Sequence, residues 1–148
     1  MKRIRLAQLG ITHEHAPGKI RAARRLTDVF KVVGVVDDSD SDTPRHSRDI
    51  NRLPYDGLRW MSEEELLSAT DIDAVFVEKT NDDLPAAALR CAESGLHMHM
   101  DKPGGQSMEP FRQIVQLCRS KNLVLQMGYM YRMNPGLELC RRAIREGW

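Results

Sequence analysis

No stretch of this chain is long and apolar enough to cross a bilayer; none approaches the roughly 20 residues that a membrane helix needs. The N-terminus, Met1-Lys2-Arg3-Ile4-Arg5, lacks the apolar segment of a signal peptide. Neither sign of charge dominates. Lys and Arg number 22 against 21 Asp and Glu, a formal net charge of +1, so there is no electrostatic footprint for nucleic acid or for an anionic membrane. Cysteine is scarce and forms no C-x-x-C: Cys91, Cys118 and Cys140 are odd in number, and each falls in a helical pattern. Buried, reduced thiols in a cytoplasmic protein account for them. There is no internal repeat and no low-complexity tract.

What is present is an ordinary globular composition over 148 residues, 41% apolar and 29% charged, enough for one domain with a real core. Short apolar runs alternate with helical periodicity. Strands are expected at 4–9, 32–36, 73–77, 97–101 and 124–127, with a weak edge strand at 58–60. The run 32–36 is apolar on both faces and reads as a buried parallel strand. Helices are expected at about 17–27, from the capping box Ser62-Glu-Glu-Glu65 to about 69, through 86–94, from Ser107 and Pro110 to about 121, and at 136–145. Thr80-Asn-Asp82 is expected to cap the third of these, and Gly95 to end it. The polar stretch 39–56 is expected to be loop with one short helix. Strand–helix alternation with right-handed crossovers predicts an α/β fold, a doubly wound parallel sheet of Rossmann type in the order 3-2-1-4-5-6.

Ligands bind such sheets beyond the carboxyl ends of the strands. Four strand ends carry suitable residues. The stretch 97–105 runs as a strand and then breaks at Pro103-Gly-Gly105, with Asp101 and Lys102 at the break. Strand one ends at Gly10, followed by Ile11-Thr-His-Glu-His15 before the first helix. Thr12 and His15 stand where a G-x-G-x-x-G turn has its second and third glycines, so the pattern fits a phosphate-binding turn and a plain polar loop equally. Strand two ends at Asp37, 27 residues after Gly10, where an acidic side chain takes the adenine ribose hydroxyls. With Asp38, Asp40 and Asp42 it repels a 2′-phosphate, which favours NAD over NADP; a turn cluster of Asp explains the same residues. Of two His-x-His pairs, His97 and His99 share one strand face with Asp101 and resemble a metal-ligand set, while His13 and His15 lie in a loop. No metal is expected.

Read in order, Asp73-Ala-Val75, Thr80-Asn81, Gly95-Leu-His97, Asp101-Lys-Pro103 and Gly128-Tyr-Met-Tyr-Arg-Met-Asn-Pro135 resemble the N-terminal half of the glucose–fructose oxidoreductase / inositol 2-dehydrogenase (Gfo/Idh/MocA) family. The resemblance covers nearly the whole chain. It implies an NAD(P)-dependent dehydrogenase of a sugar, a cyclitol or a similar hydroxyl compound, with NAD as cofactor and NADP less favoured. It also implies residues 1–148 as the dinucleotide-binding domain, with the family's C-terminal substrate and dimerisation domain absent. Lys102 matches the lysine that hydrogen-bonds the reacting hydroxyl. Asn81, with Thr80 before it, matches the cofactor edge after strand four, and Arg132 an arginine near cofactor or substrate. The expected cofactor-binding residues are thus Gly10, Ile11, Thr12, His13, Asp37, Thr80, Asn81, Asp101, Lys102 and Arg132, and the expected catalytic residue is Lys102. The family's pattern also implies a homo-oligomer when full length, in the cytoplasm. Three departures stand out: Asp101 replaces Glu, Leu84 stands where many members have His, and the glycine turn is degenerate. The degenerate turn and Leu84 go with a second reading, a non-catalytic NAD-binding sensor, and the His-x-His pairs with a third and less favoured one, a metal-binding module.

Overall fold

The computed structural model describes residues 2–39 and 50–148. Six parallel strands form one sheet in the order β3-β2-β1-β4-β5-β6, the order expected. They are β1 (Ile4–Leu9), β2 (Phe30–Val36), β3 (Trp60–Met61), β4 (Ala74–Val77), β5 (His97–Met100) and β6 (Leu125–Met127). The connecting helices are α1 (Ala16–Arg25), α2 (Glu63–Ser68), α3 (Leu84–Glu93), α4 (Met108–Ser120) and α5 (Pro135–Glu146). Among the described residues no helix is long and apolar enough to cross a membrane.

Strand alternation sorts the side chains. Ala7, Leu9, Val75, Val77, Met98 and Met100 face α3 and α4, where Leu84, Ala88, Cys91, Ile114 and Cys118 close the main core. Fully burying each aliphatic or methionine side chain of that set is worth roughly 1.5–3 kcal/mol. On the other face α1 brings Ile20 against Ile11, Val35 and Tyr55. The neighbouring part of that face stays open, a trough of about 500 Å3 bordered by Ile4, Leu6, Phe76, His97 and His99.

Helix ends follow local chemistry. The Ser62 hydroxyl accepts from Glu65 N–H at 3.0 Å and the Glu65 carboxylate accepts from Ser62 N–H at 2.7 Å, a complete capping box. Gly95, at φ +80°, ends α3 as Gly95 N–H and Leu96 N–H return to the Ala92 and Cys91 carbonyls. Asn122, at φ 55°, ends α4 in the same way. Asn134 caps α5, accepting from Gly136 and Leu137 N–H.

Three expectations need correcting. Thr80-Asn-Asp82 is not the α3 cap. Asp83 is, without a side-chain bond, because the Thr80 carbonyl already accepts Asp83 and Leu84 N–H and closes a turn one residue later. The edge strand is Trp60–Met61 rather than 58–60: Val35 and Val36 of β2 pair with these two residues, and the Val35 N–H reaches back to the Arg59 carbonyl. Cys91 and Cys118 are buried, but Cys140 is exposed, because no residue of α5 is buried against the rest of the fold. Among the described residues of 39–56 there is a 3-10 turn at Leu53–Tyr55.

One irregularity bears on the site. Leu6 pairs with Val32 but Ala7 pairs with Gly34, so β2 carries one extra residue. An extra residue shifts everything after it by one place. The register resumes with Leu9 opposite Val36, and continued by two residues it sets Asp38, not Asp37, opposite Ile11.

Candidate active site

Leu9, Val77 and Met100 lie side by side in β1, β4 and β5. The next residue of each strand is therefore brought to one row: Gly10, Glu78 and Asp101. Gly10 has φ +99°, and a Cβ there would run into the Glu78 carbonyl, so the turn after β1 requires glycine. The turn carries its N–H groups onto Asp38. Ile11 N–H and Thr12 N–H donate to Asp38 Oδ1 at 2.8 and 3.1 Å, and the Thr12 hydroxyl donates to Oδ2 at 2.9 Å. Lys79 Nζ stands 3.6 Å from the same carboxylate. Asp37 turns outward instead, accepting from Ser39 N–H at 2.8 Å and pairing with Arg52 at 2.5 Å. Burial works to raise its carboxyl, but bonds from Ser39 and Arg52 hold it below the usual range.

Asp101 is the hub of the other end. Its Oδ2 lies 3.0 Å from His13 Nδ1 and 2.9 Å from His15 Nδ1. Its Oδ1 lies 3.1 Å from Lys19 Nζ, which also pairs with Glu78 Oε1 at 2.5 Å. Burial alone works to raise Asp101. The His13 bond, the Lys19 charge and the Lys102 N–H outweigh it and hold the carboxyl far below the usual range. Glu78 goes the other way: burial pushes it up to about 7 despite Lys19. Lys102 follows Asp101, half-buried, before a cis Lys102–Pro103 peptide.

The structure thus gathers Gly10, Ile11, Thr12, His13 and Asp101 at adjoining strand ends, with Lys102 next in chain. Thr80 is buried, its hydroxyl 3.4 Å from Asp83 Oδ2, and Asn81 is half-buried beside it. Arg132 does not join them; it is exposed in a 3-10 turn, Met130–Met133, beyond β6. The expected charge barrier rests partly on Asp40 and Asp42, which lie outside the described residues. His97 and His99 do not join Asp101 as ligands. His97 accepts from Val124 N–H at 3.0 Å, and His99 packs edge-on against Phe76. Burial, then the Lys19 charge, lower the His99 pKa.

Sequence reasoning passed over Lys19, Glu78 and the role of Asp38. The signals were available. His15 and Lys19 are four residues apart, one helical turn. Glu78-Lys79 is a charged pair at the end of an apolar run, as Asp101-Lys102 is. Asp38 became legible only with the β2 irregularity. Leu84, the position where many resembling sequences carry His, is sealed in the core at 0% exposure.

A dinucleotide fits this arrangement in chemistry. The turn after β1 is closed by a positive-φ glycine, and its donors already hold a carboxylate at the end of β2, the place of the ribose-binding acid. Gly10, the 11–13 turn, Asp37 or Asp38, Thr80, Asn81 and Lys102 would line it.

The comparisons with known proteins follow that geometry. The model of the Gfo/Idh/MocA group, described as an oxidoreductase family with an NAD-binding Rossmann fold, matches residues 9–129. The inositol 2-dehydrogenase/D-chiro-inositol 3-dehydrogenase of Lacticaseibacillus casei is 26% identical over 144 residues, covering 96% of this chain and 41% of that protein. The 1,5-anhydro-D-fructose reductase of Ensifer adhaerens is 33% identical over 86 residues, covering 58% of this chain and 26% of that one. An NAD-binding protein from Listeria innocua superposes with a TM-score of 0.81 at 20% identity, over 99% of this chain and 41% of that one. The chain spans less than half the length of these relatives.

Proposed function

Because this chain belongs to the Gfo/Idh/MocA oxidoreductase family with its NAD-binding Rossmann fold, we propose that it is the nucleotide-binding part of a dehydrogenase acting on a sugar, a cyclitol or a related hydroxyl compound. One observation carries the reading: Asp101-Lys102-Pro103 ends β5 in the same row as the glycine turn that ends β1. The substrate class is supported by the names of the two relatives, an inositol dehydrogenase and an anhydrofructose reductase.

A bound nicotinamide supplies the hydride acceptor, and the protein supplies orientation and electrostatics. In this reading Gly10 lets the turn approach the diphosphate, Asp38 holds that turn, and Asp37 faces the ribose. Thr80 and Asn81 border the cofactor's edge. Lys102 directs its ammonium at the substrate hydroxyl, polarises it and helps move its proton. Asp101 does not touch substrate. Pinned by His13, His15 and Lys19, it fixes the strand end from which Lys102 projects. Arg132 serves only if the turn beyond β6 folds toward the crevice. NAD is the favoured form and NADP the lesser one. A second domain completes the substrate pocket and the homo-oligomer contact, and the protein works in the cytoplasm.

The test is direct. NAD and NADP are titrated against the protein, and polyols are screened for production of the reduced nicotinamide. Nucleotide binding with turnover that Lys102→Ala abolishes supports the dehydrogenase. Binding with no turnover by the full-length protein on any polyol makes the chain a nucleotide sensor.

A further inference from the structure

His13 Nδ1 meets two groups at once. Asp101 Oδ2 is 3.0 Å away, and the His15 backbone N–H points at it from 3.3 Å. If Nδ1 carries a lone pair, it accepts the N–H but turns a lone pair on the carboxylate. If it carries a proton, it serves the carboxylate but opposes the N–H. A cation beside Nδ1 and Oδ2 meets the nitrogen lone pair and the carboxylate together; like a proton on Nδ1 it serves the carboxylate and not the His15 N–H.

His15 adds a second nitrogen on the same side. Its Nδ1 is 2.9 Å from Asp101 Oδ2, and its remote Nε2 is 3.5 Å from Glu14 Oε1. That carboxylate is largely exposed and makes no hydrogen bond to the ring, so it adds charge near the site without orienting the imidazole. The ligand atoms of His13, His15 and Asp101 all lie within 4.8 Å of one another. His13 and Asp101 are buried and His15 is half-buried, so the site has two closed sides and one open one.

We propose that His13, His15 and Asp101 bind a divalent transition metal of the zinc class through two imidazole nitrogens and one carboxylate oxygen. The fourth position opens on the exposed side of His15. Two nitrogens and an oxygen with an open position are a donor set for Zn2+. Ligand atoms on tetrahedral zinc stand roughly 3.3 Å apart, so the two contacts to Oδ2, at 3.0 and 2.9 Å, open slightly and the wider pair, within 4.8 Å, closes as the imidazoles turn toward each other. Lys19 is the opposing charge. It stays on Oδ1 and Glu78, leaving Oδ2 to the metal, and it weakens the site without occupying it. The proposal rests on this chain's own geometry; it shares the 11–13 turn and Asp101 with the dehydrogenase reading, and a metal titration without nucleotide tests it separately.

The experiment uses the whole chain, stripped with a chelator and then dialysed. Zn2+ is titrated calorimetrically, and Co2+ is followed by its visible absorption. One metal per chain and a tetrahedral cobalt spectrum are expected. His15→Ala, at the half-buried position of the three, should weaken Zn2+ by at least about tenfold and erase the cobalt bands. Asp101→Asn should do the same, and Lys19→Met should tighten binding. His97→Ala, at the exposed start of β5, should leave it unchanged. No stoichiometric binding, or binding that survives His15→Ala in full, overturns the proposal.

Discussion

Two acid–cation groups end strands of the same sheet, and solvent separates them. Beyond β2, Asp37 pairs with Arg52, their side chains 29% and 52% exposed. Beyond β5, Asp101 meets His13, His15 and Lys19 at 1% exposure. The groups are alike, but their energetics are not. An exposed pair is worth about 0–1 kcal/mol, because water and salt screen it and two long side chains must be held still. A buried group gives little net stability over an apolar substitute, yet removing one member leaves the others charged and unsolvated. The outer pair is free to rearrange around a ligand, while the inner group fixes backbone.

The largest expected effect comes from breaking the inner group. Asp101→Ala strands Lys19 and both imidazoles and should cost about 3–5 kcal/mol in urea unfolding. Asp37→Ala should cost less than about 1 kcal/mol. Equal losses would mean that burial does not distinguish the two ends.

Next comes Glu78. Its carboxyl is raised from 4.5 to about 7, first by burial, with Lys19 opposing. The folded protein therefore keeps this proton up to about pH 7, while the unfolded chain releases it near 4.5. Between those values the folded state binds more protons, so stability falls as pH rises, by up to about 3 kcal/mol. Asp101, held low, acts in the opposite direction and only at the acid end. Subtracting the Glu78→Gln stability profile from the parent's should leave a declining curve between those two pH values. A flat difference would mean that Glu78 is ionised in the fold throughout.

Gly10 follows. Its φ of +99° and the Glu78 carbonyl behind it make Gly10→Ala strained by about 1–3 kcal/mol. Nucleotide affinity should fall with it. Unchanged affinity in a folded Gly10→Ala protein would move the dinucleotide off this turn.

The fold was legible because its signals are local. Apolar runs at 4–9, 32–36 and 73–77, the Ser62–Glu65 box and Gly95 each act within a few residues, and helix-linked parallel strands leave few topologies open. The site was legible only where it ends a strand, as at Gly10 and Asp101. What could not be read was which neighbour each side chain meets. The His-x-His pair that shares a face with Asp101 in sequence, His97 and His99, is not the pair that reaches it. Alternation along β5 says nothing of a loop arriving from β1. Asp38, not Asp37, meets the turn after β1 because β2 carries one extra residue, an event set by pairing with β1 and not by β2 itself. Cys140 fits a helical stripe, but a stripe does not say that anything covers it.

The smallest expected effect sharpens the outer end of the comparison. Arg52 neutralises Asp37 and stacks over Trp60, its guanidinium 5.3 Å from the ring centre. On the dinucleotide reading, a free Asp37 accepts from the ribose hydroxyls and repels a 2′-phosphate, whereas an arginine beside it accommodates that phosphate. The two residues therefore pull cofactor choice in opposite directions from one exposed position. Arg52→Ala should widen the preference for NAD over NADP, and Asp37→Ala should narrow it. Each change should be no more than about fivefold, because screening at this exposure holds the interaction to about 1 kcal/mol. The shifts should shrink as salt is added, since the Debye length falls from about 10 Å at 0.1 M to about 3 Å at 1 M. Paired NAD and NADP titrations at two salt concentrations check this. A preference that moves the same way in both variants, or that ignores salt, would place the adenine ribose away from the end of β2.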